Sequence, residues 1–178
     1  MKAAVVEGPG KLVVRDVPEP TPGEYQARCE ILYGATCSGT DSHIVACEFP
    51  YLNPIPTILG HESIARVTDV GAKVRNLRPG ELVTRVGTPP VGAFSSTWGG
   101  FAEVGVATDW RACREDGLPQ SEWAGAQVQW VLPEGFDPAG STMIITWRET
   151  LSYATRIGVG EGKRVAVIGA GGNGLAFV

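Results

Sequence analysis

Two short clusters of chemically active side chains lie between residues 37 and 62. The first holds Cys37, Thr40 and His43, and the second is the pair His61-Glu62. Together they supply a thiol, both histidines of the chain and a carboxylate. A zinc ion that takes part in chemistry is held by three side chains of these types and keeps a fourth position open. We therefore predict a zinc site formed by Cys37, His61 and Glu62.

Several of these residues also have a simpler structural interpretation. His61 could be a buried histidine that bonds to a turn, and His43 an exposed loop residue. We expect Asp41 to accept hydrogen bonds from backbone N–H groups and not to touch metal. The four cysteines form no Cys-x-x-Cys pair, which indicates free thiols or metal ligands and not a disulfide framework. Cys29, in an alternating run, fits a buried and inert position.

Short strands must position the two clusters. Runs rich in β-branched residues recur along the chain, separated by turns that contain glycine and proline. The predicted strands cover residues 2–7, 11–16, 25–35, 63–70, 81–86, 101–106 and 128–132. The first two flank Gly8-Pro9-Gly10 and predict a hairpin. This rhythm of short strands favours a small β-barrel or sandwich.

Two segments interrupt the strand pattern. Residues 109–122 mix charged residues with a Gly-Leu-Pro break, which predicts a loop that includes a helical turn. Within this region and just after it, Trp110 and Trp123 are expected to serve packing. Residues 138–156 have apolar positions at helical spacing, and Gly158 marks the end of the predicted helix.

The end of the chain carries a nucleotide-binding pattern. Residues 164–168 form an apolar run typical of a buried parallel strand. The next six residues match G-x-G-x-x-G, which predicts cofactor contacts by the glycines at the turn, namely Gly169, Gly171, Gly172 and Gly174. Small residues there let the backbone approach a pyrophosphate at the start of a helix. The simpler interpretation is a strand-to-helix turn that binds no nucleotide.

A complete dinucleotide fold needs further β-α units beyond this motif. The acidic residue that contacts the ribose lies about 20 positions after the glycines, which is beyond Val178. We therefore expect the 178 residues to be a fragment that is inactive alone. The choice between NAD and NADP stays open for the same reason.

Five motifs occur in the same order as in a known family. They are Gly39-Thr40-Asp41-x-His43, Leu59-Gly60-His61-Glu62, Val67-x-x-Val70-Gly71, Pro79-Gly80-Glu81-x-Val83 and Gly99-Gly100-Phe101-Ala102-Glu103. With the glycine motif at its end, the whole chain resembles the zinc-containing alcohol and polyol dehydrogenases of the medium-chain dehydrogenase/reductase superfamily. The resemblance implies a fold that is mainly β with some α. Residues 1–140 would form a GroES-like β-barrel catalytic domain, and residues 141–178 a linking helix and the first β-α unit of a truncated Rossmann domain.

The resemblance implies hydride transfer between an alcohol or polyol and a nicotinamide cofactor, NAD or NADP. Zinc would lower the pKa of the alcohol, and the cofactor would accept the hydride. Thr40 and His43 would pass the released proton to solvent, since a hydroxyl can relay it to an imidazole that titrates near neutrality. Small-molecule alcohols would be the substrates, and the full-length protein would be a homo-oligomer.

The thiol is one residue out of step with the family pattern. Cys37 lies four residues before Asp41, so a strict alignment places Ser38 at the ligand position. We favour Cys37, because a hydroxyl is a poor zinc ligand beside a neighbouring thiol.

Two further departures concern the number of ligands and of metal ions. In the family another ligand often comes from the helix before the nucleotide strand, and that position falls near Ile145, which cannot bind metal. Glu149, one turn later, is a weaker candidate. This favours Glu62 as the third ligand, which is what a resemblance to sorbitol-type dehydrogenases implies. The alternative is that Glu62 is a nearby carboxylate that acts on the metal electrostatically. Residues 87–98 contain no cysteine, so we expect one catalytic zinc and no structural zinc lobe.

Composition excludes several other classes of protein. The formal net charge of −4 argues against nucleic-acid binding, which needs a basic face. No apolar run reaches the length of a membrane span, and no signal peptide precedes the first strand, so a cytoplasmic location is expected. Two rival functions remain at this point. They are a zinc-free quinone or enoyl reductase of the same superfamily and a non-enzymatic metal-binding module built on the barrel.

Overall fold

The chain begins with the hairpin that the sequence predicts. In the computed structural model, β1 (Lys2–Gly8) and β2 (Lys11–Asp16) pair antiparallel. Gly10, in the turn between them, has a φ of +70°, which glycine adopts without a steric penalty. The sheet is extended by β4 (Thr57–Ile58), antiparallel to β1, and by β7 (Ser95–Ser96), parallel to β4. The first sheet therefore has the order β2-β1-β4-β7.

A second four-stranded sheet, in the order β6-β5-β3-β8, positions the predicted ligands. Its strands are β3 (Gln26–Ala35), β5 (Glu62–Val70), β6 (Leu82–Thr84) and β8 (Val104–Thr108). All three pairings in this sheet are antiparallel. Alternating residues of these strands form an apolar core, and the predicted burial of Cys29 within it is confirmed. The prediction of a fold that is mainly β is confirmed as well.

The structure describes residues 1–49 and 54–178, and the described chain divides into two compact units. The first, Met1–Thr142, contains both sheets and α1 (Thr40–Val45). The second, Met143–Val178, contains α4 (Ile144–Arg156) and α5 (Gly172–Ala176). None of the helices in the described residues is long and apolar enough to cross a bilayer.

Most of the segment predicted as a loop at residues 109–122 is helical, so the prediction was wrong in extent, although the Gly-Leu-Pro break does separate two helices. The segment forms α2 (Trp110–Glu115) and α3 (Gln120–Trp123). The side chain of Asp109 begins α2 by accepting a hydrogen bond from the N–H of Ala112. An aspartate that accepts such a bond stabilises the first turn of a helix. This capping signal is present in the sequence and outweighs the mixed composition of the segment.

The predicted strand at residues 128–132 is also wrong. A short 3-10 helix, Ala124–Val128, leads into it, and a single residue pair, Val83↔Val131, replaces a ladder. Two backbone hydrogen bonds flank this pair, from the N–H of Thr84 to the carbonyl of Trp130 and from the N–H of Leu132 to the carbonyl of Leu82, and side chains add two more. The amide oxygen of Gln129 accepts from the N–H of Thr108 at 2.7 Å, and the hydroxyl of Thr84 accepts from the N–H of Trp130 at 3.1 Å.

The apolar run at residues 164–168 was predicted as a buried strand, and the structure contradicts this. These residues pair with no strand among the described residues, and the side chain of Ile168 is 99% exposed. A parallel strand is stabilised by neighbours on both edges and by helices on both faces. The second unit contains only two helices and no partner strand in its described part.

Candidate metal centre and adjoining cavity

The pairing of β3 with β5 brings the predicted ligands together. Ala35, at the end of β3, lies opposite Glu62, at the start of β5. Cys37 follows β3 by two residues, and His61 directly precedes β5, so all three side chains meet at one end of the sheet. Their candidate ligand atoms lie within 4.8 Å of one another. His61 and Glu62 are buried, and Cys37 is partly buried.

Asp41 supports this cluster from the first turn of α1. Its Oδ2 accepts a hydrogen bond from the N–H of Cys37 at 2.9 Å, which is the backbone role that the sequence predicts. Its Oδ1 lies 3.3 Å from Nδ1 of His61, although the two atoms lack the alignment of a hydrogen bond. Both atoms are buried and have no other partner among the described residues. A carboxylate behind a metal-binding imidazole is a common arrangement, because it fixes the orientation of the ring.

Local contacts also change the acidity of the thiol and the imidazole. Burial alone would raise the pKa of Cys37, but hydrogen bonds from the backbone and hydroxyl of Thr40 and contact with His61 lower it below its ordinary value. Burial alone would lower the pKa of His61, but Asp41 and Cys37 raise it above its ordinary value. The thiolate is the form that binds metal. The surroundings of Cys37 therefore favour its ligating form.

The other predicted site residues have different positions. Ser38, the alternative ligand, is exposed, whereas the thiol of Cys37 lies beside His61. Thr40 contacts the thiol. His43 projects from α1 with its side chain largely exposed, and its Nδ1 lies 3.7 Å from a carboxylate oxygen of Glu48. The structure thus brings Thr40 to the cluster but does not include His43 in it.

The residues that belong to the second unit are described separately. Ile145 is buried in α4 and Glu149 is exposed on it. The predicted cofactor glycines form a tight turn into α5, in which Gly169 has a φ of +112°. A Cβ atom on Gly174 would lie 2.1 Å from the carbonyl oxygen of Gly169, so the turn requires a glycine at position 174. Such a turn agrees with both interpretations of the motif.

Two residues beside the cluster were missed by the sequence reasoning. The ring of Trp98 lies 5.1 Å from the ring of His61, and the guanidinium of Arg85 lies 5.7 Å from the centre of the Trp98 ring. Both residues line a cavity of about 390 Å³ that His61 also lines. Arg85 falls in the run predicted as a strand at 81–86, but β6 ends at Thr84, and Trp98 lies in no strand or helix, so the pattern gave no reason to single out either side chain. The one available signal is the position of Trp98 directly before Gly99-Gly100.

Comparison with known proteins identifies the family of this chain and the proteins that it resembles. Residues 23–119 match the family described as the alcohol dehydrogenase GroES-like domain. The sorbitol dehydrogenase of Halalkalibacterium halodurans is 27% identical over 98% of this chain and 51% of its own length. Among solved structures, galactitol-1-phosphate dehydrogenase from Escherichia coli superimposes with a TM-score of 0.76 at 22% identity, covering 99% of this chain and 51% of that one.

A second solved structure includes a bound nucleotide. It is described as a zinc-binding dehydrogenase from Sinorhizobium meliloti bound to NADP, and it gives a TM-score of 0.74 at 26% identity. The alignment covers 99% of this chain and 51% of that chain. The chain therefore spans about half the length of the curated relatives and solved structures that it matches.

Proposed function

The chain belongs to the family of alcohol dehydrogenase GroES-like domains, and from that premise we propose that the whole protein is a zinc-dependent oxidoreductase. It transfers hydride between an alcohol or polyol and a nicotinamide cofactor, NAD or NADP. The observation that carries this proposal is the cluster of Cys37, His61 and Glu62, with ligand atoms within 4.8 Å of one another. The relatives named as sorbitol dehydrogenase and as a dehydrogenase bound to NADP support the same chemistry.

The residues of the cluster fit a single zinc ion. Thiol, imidazole and carboxylate are the side chains that zinc takes, and three of them leave a position for substrate. The Nδ1 of His61 faces Asp41 and has no hydrogen-bond partner among the described residues, so the other ring nitrogen is the one available to a metal. Zinc held by Cys37, His61 and Glu62 would supply Lewis-acid chemistry at the alcohol oxygen, and a bound nicotinamide cofactor would supply the hydride chemistry.

The chain's own side chains perform the remaining tasks. Asp41 orients His61, and Thr40 keeps the thiol of Cys37 in its ligating form through the hydrogen bonds described above. Glu62 is the third ligand, or else a carboxylate that acts on the metal through space. Thr40 and His43 pass the proton of the alcohol to solvent, which the exposed position of His43 supports.

The two parts of the chain divide the work in this proposal. Residues 1–140 form the catalytic domain, and residues 141–178 form the linking helix and the first part of a nucleotide-binding domain. In that part Gly169, Gly171, Gly172 and Gly174 approach the pyrophosphate of the cofactor, because a turn this tight exposes backbone N–H groups to a phosphate. The substrate is a small-molecule alcohol, and whole chains associate into a homo-oligomer.

Elemental analysis of the purified chain tests the metal site. We expect about one zinc per chain in the wild-type protein and in Ser38→Ala, and little in Cys37→Ala, since zinc binds three protein ligands plus one open position. Glu62→Ala distinguishes the two roles of that carboxylate. If Glu62 is a ligand, the variant should lose its zinc; if Glu62 acts only through space, the variant should keep zinc with a changed affinity. Zinc that is retained in Cys37→Ala and lost in Ser38→Ala would overturn the ligand assignment.

A cofactor assay on the full-length protein separates the rival functions. Zinc-dependent reduction of NAD or NADP with an alcohol supports the proposal. Metal-free protein that reduces an activated alkene would instead support a quinone or enoyl reductase. Zinc binding without binding of NAD(H) or NADP(H) would indicate a non-enzymatic module. The 178 residues span about half the length of the relatives that they match, so we expect them alone to bind zinc without turnover.

A further inference from the structure

The cavity beside the metal cluster has an unusual charge pattern. It lies within the first unit and has a volume of about 390 Å³. Neutral polar side chains such as Thr88, Ser96 and Gln129 contribute to its wall, together with one cation, Arg85. No carboxylate lines it among the described residues, and neither Asp41 nor Glu62 reaches it. Apart from the titratable His61, Arg85 is therefore the one side chain in the described part of this wall that carries a charge.

The backbone holds Arg85 and Trp98 at this cavity in an unfavourable conformation. Arg85 has a φ of +52° and Trp98 a φ of +67°, and only three non-glycine residues in the described chain have positive φ. For side chains of this size such angles are disfavoured, and they concentrate at ligand-binding sites where the surrounding structure enforces them. Two of the three thus lie on the wall of one cavity.

Neighbouring elements enforce the position of Arg85. Its N–H donates to the carbonyl of Ser63 at 2.7 Å, and its carbonyl accepts from Nε2 of Gln129 at 3.4 Å. Its guanidinium lies over the face of Trp98, which in turn packs against the ring of His61. One tryptophan ring therefore separates the cation from the imidazole of the proposed zinc site.

We propose that this cavity binds the anionic end of the substrate, so that the alcohol carries a carboxylate or a phosphate that Arg85 recognises. The inference rests on the proposed dehydrogenase function and specifies its substrate class. A guanidinium presents five N–H donors in a planar fork, enough to serve an oxyanion together with other neighbours. Arg85 and His61 line the same cavity, and each contacts the ring of Trp98, at 5.7 and 5.1 Å, so a small molecule in the cavity has both side chains in its wall.

Binding of three matched probes to the zinc-loaded chain tests this proposal. Glycerol, glycerate and glycerol 3-phosphate share a three-carbon alcohol and differ in carrying no anion, a carboxylate or a phosphate. Binding is followed by NMR through the indole N–H signal of Trp98, which Trp98→Phe identifies. We expect at least one of the two anions to bind about tenfold to hundredfold more tightly than glycerol, the range typical of a hydrogen bond to a charged group. The anion with the larger preference identifies the substrate group.

Variants of Arg85 assign the preference to its charge. Arg85→Gln should abolish the preference, and Arg85→Lys should keep part of it, because lysine retains the charge without the planar fork. Arg111→Gln is the matched control. Arg111 also lies over tryptophan rings, 5.2 Å from Trp110 and 4.8 Å from Trp130, but does not line the cavity. The Arg111→Gln variant should therefore bind the anions with the same preference over glycerol as the wild type.

The outcomes separate this inference from the proposed function. Zinc content is measured on the same samples. Equal affinity for glycerol and both anions, or a preference that survives in Arg85→Gln, overturns the inference even when one zinc is bound. A preference for anions in a chain that binds no zinc contradicts the proposed function, and with it the assignment of the anion as part of a substrate.

Discussion

Asp41 contacts two members of the proposed metal cluster, although it is not one of the proposed ligands. One carboxylate oxygen fixes the backbone of Cys37, and the other faces the imidazole of His61. The sequence predicts the first contact, because an aspartate at the start of a helix accepts backbone N–H groups. The second contact depends on how β3 and β5 pair, which the local sequence around Asp41 does not contain.

Asp41→Asn should weaken zinc binding about 10-fold to 100-fold, the range found when the partner of a metal-binding histidine is removed. The substitution keeps the shape of the side chain and removes the charge behind His61. Competition with a colourimetric chelator measures the affinity. Asp137→Asn is a control, since Asp137 is exposed and accepts the N–H of Gly140. Equal zinc affinity of wild type and Asp41→Asn would show that the carboxylate does not support the imidazole.

The thiols should differ in their reactivity in the zinc-free protein. The lowered pKa of Cys37 predicts alkylation by iodoacetamide at a pH below the ordinary thiol value of about 8.5. Burial raises the pKa of Cys29 to about 12, so Cys29 should stay unmodified while the chain is folded. Peptide mass spectrometry after timed labelling gives both rates. Added zinc should protect Cys37, and labelling of Cys37 that zinc does not slow would argue against its role as a ligand.

At the scale of the elements, Asp109 connects the start of α2 to a turn before β6. Its buried carboxylate accepts from the N–H groups of Ala112, Arg75 and Asn76. Asp109→Ala should lower the free energy of unfolding at pH 7 by about 2–4 kcal/mol, from the loss of a helix cap and of buried hydrogen bonds. Urea denaturation measures the change. Asp116→Ala is the control and should cost much less, because Asp116 contacts the guanidinium of Arg75 at the surface.

The same carboxylate predicts a dependence of stability on pH. Burial alone would raise the pKa of Asp109, but the three N–H groups lower it below its ordinary value. A lowered pKa in the folded state means that the stabilisation is complete above the unfolded value of about 3.9 and is lost as the pH falls through the folded value. The difference in stability between wild type and Asp109→Ala should therefore shrink in strong acid. A difference that stays constant from pH 7 to pH 2 would contradict this explanation.

Gly87 sets the distance between two segments that wall the cavity. A Cβ atom there would lie 1.7 Å from the carbonyl oxygen of Trp98, a contact that no small adjustment relieves. Gly87→Ala should cost more than about 3 kcal/mol of stability, as overpacking of a tight core does at its upper limit. Gly125→Ala is the control, since no atom lies within 4 Å of the corresponding position. Thermal unfolding measures both, and equal melting temperatures would show that the backbone adapts.

The sequence predicts the strands well where one face of the strand is buried. It fails where strand formation depends on pairing with segments that are distant in the sequence. Residues 63–70 alternate and form β5, whereas residues 128–132 alternate less and pair with β6 through the single bridge of Val83 and Val131. Cys37 is one residue out of step in the sequence, yet the turn after β3 still brings its thiol beside His61. Arg85 and Trp98 could not be predicted, because their positive φ arises from contacts with distant segments.

At the scale of the whole molecule, the two units differ in how firmly their residues are held. The amides of β3 and β5 pair along nearly their full length, whereas residues 164–168 have no pairing partner among the described residues. Hydrogen exchange should therefore be slow in β3 and β5 and fast at residues 164–168, since unpaired and exposed amides open without unfolding. Mass spectrometry of exchanged peptides checks this. Protection at residues 164–168 equal to that of β5 would contradict the observed lack of pairing.

The register that places Ala35 opposite Glu62 also determines when a metal ion can enter. The three proposed ligands lie at or next to the ends of β3 and β5, which pair through their backbones. We therefore expect the site to be formed before an ion binds. Zinc-binding domains that assemble around their ion lose their fold when it is removed. This chain should instead keep its strand content and cooperative unfolding in the presence of a chelator, and added zinc should restore the site at once. The fraction of chains that hold zinc would then depend on the free zinc concentration, because binding is a reversible equilibrium between the ion and a preformed site.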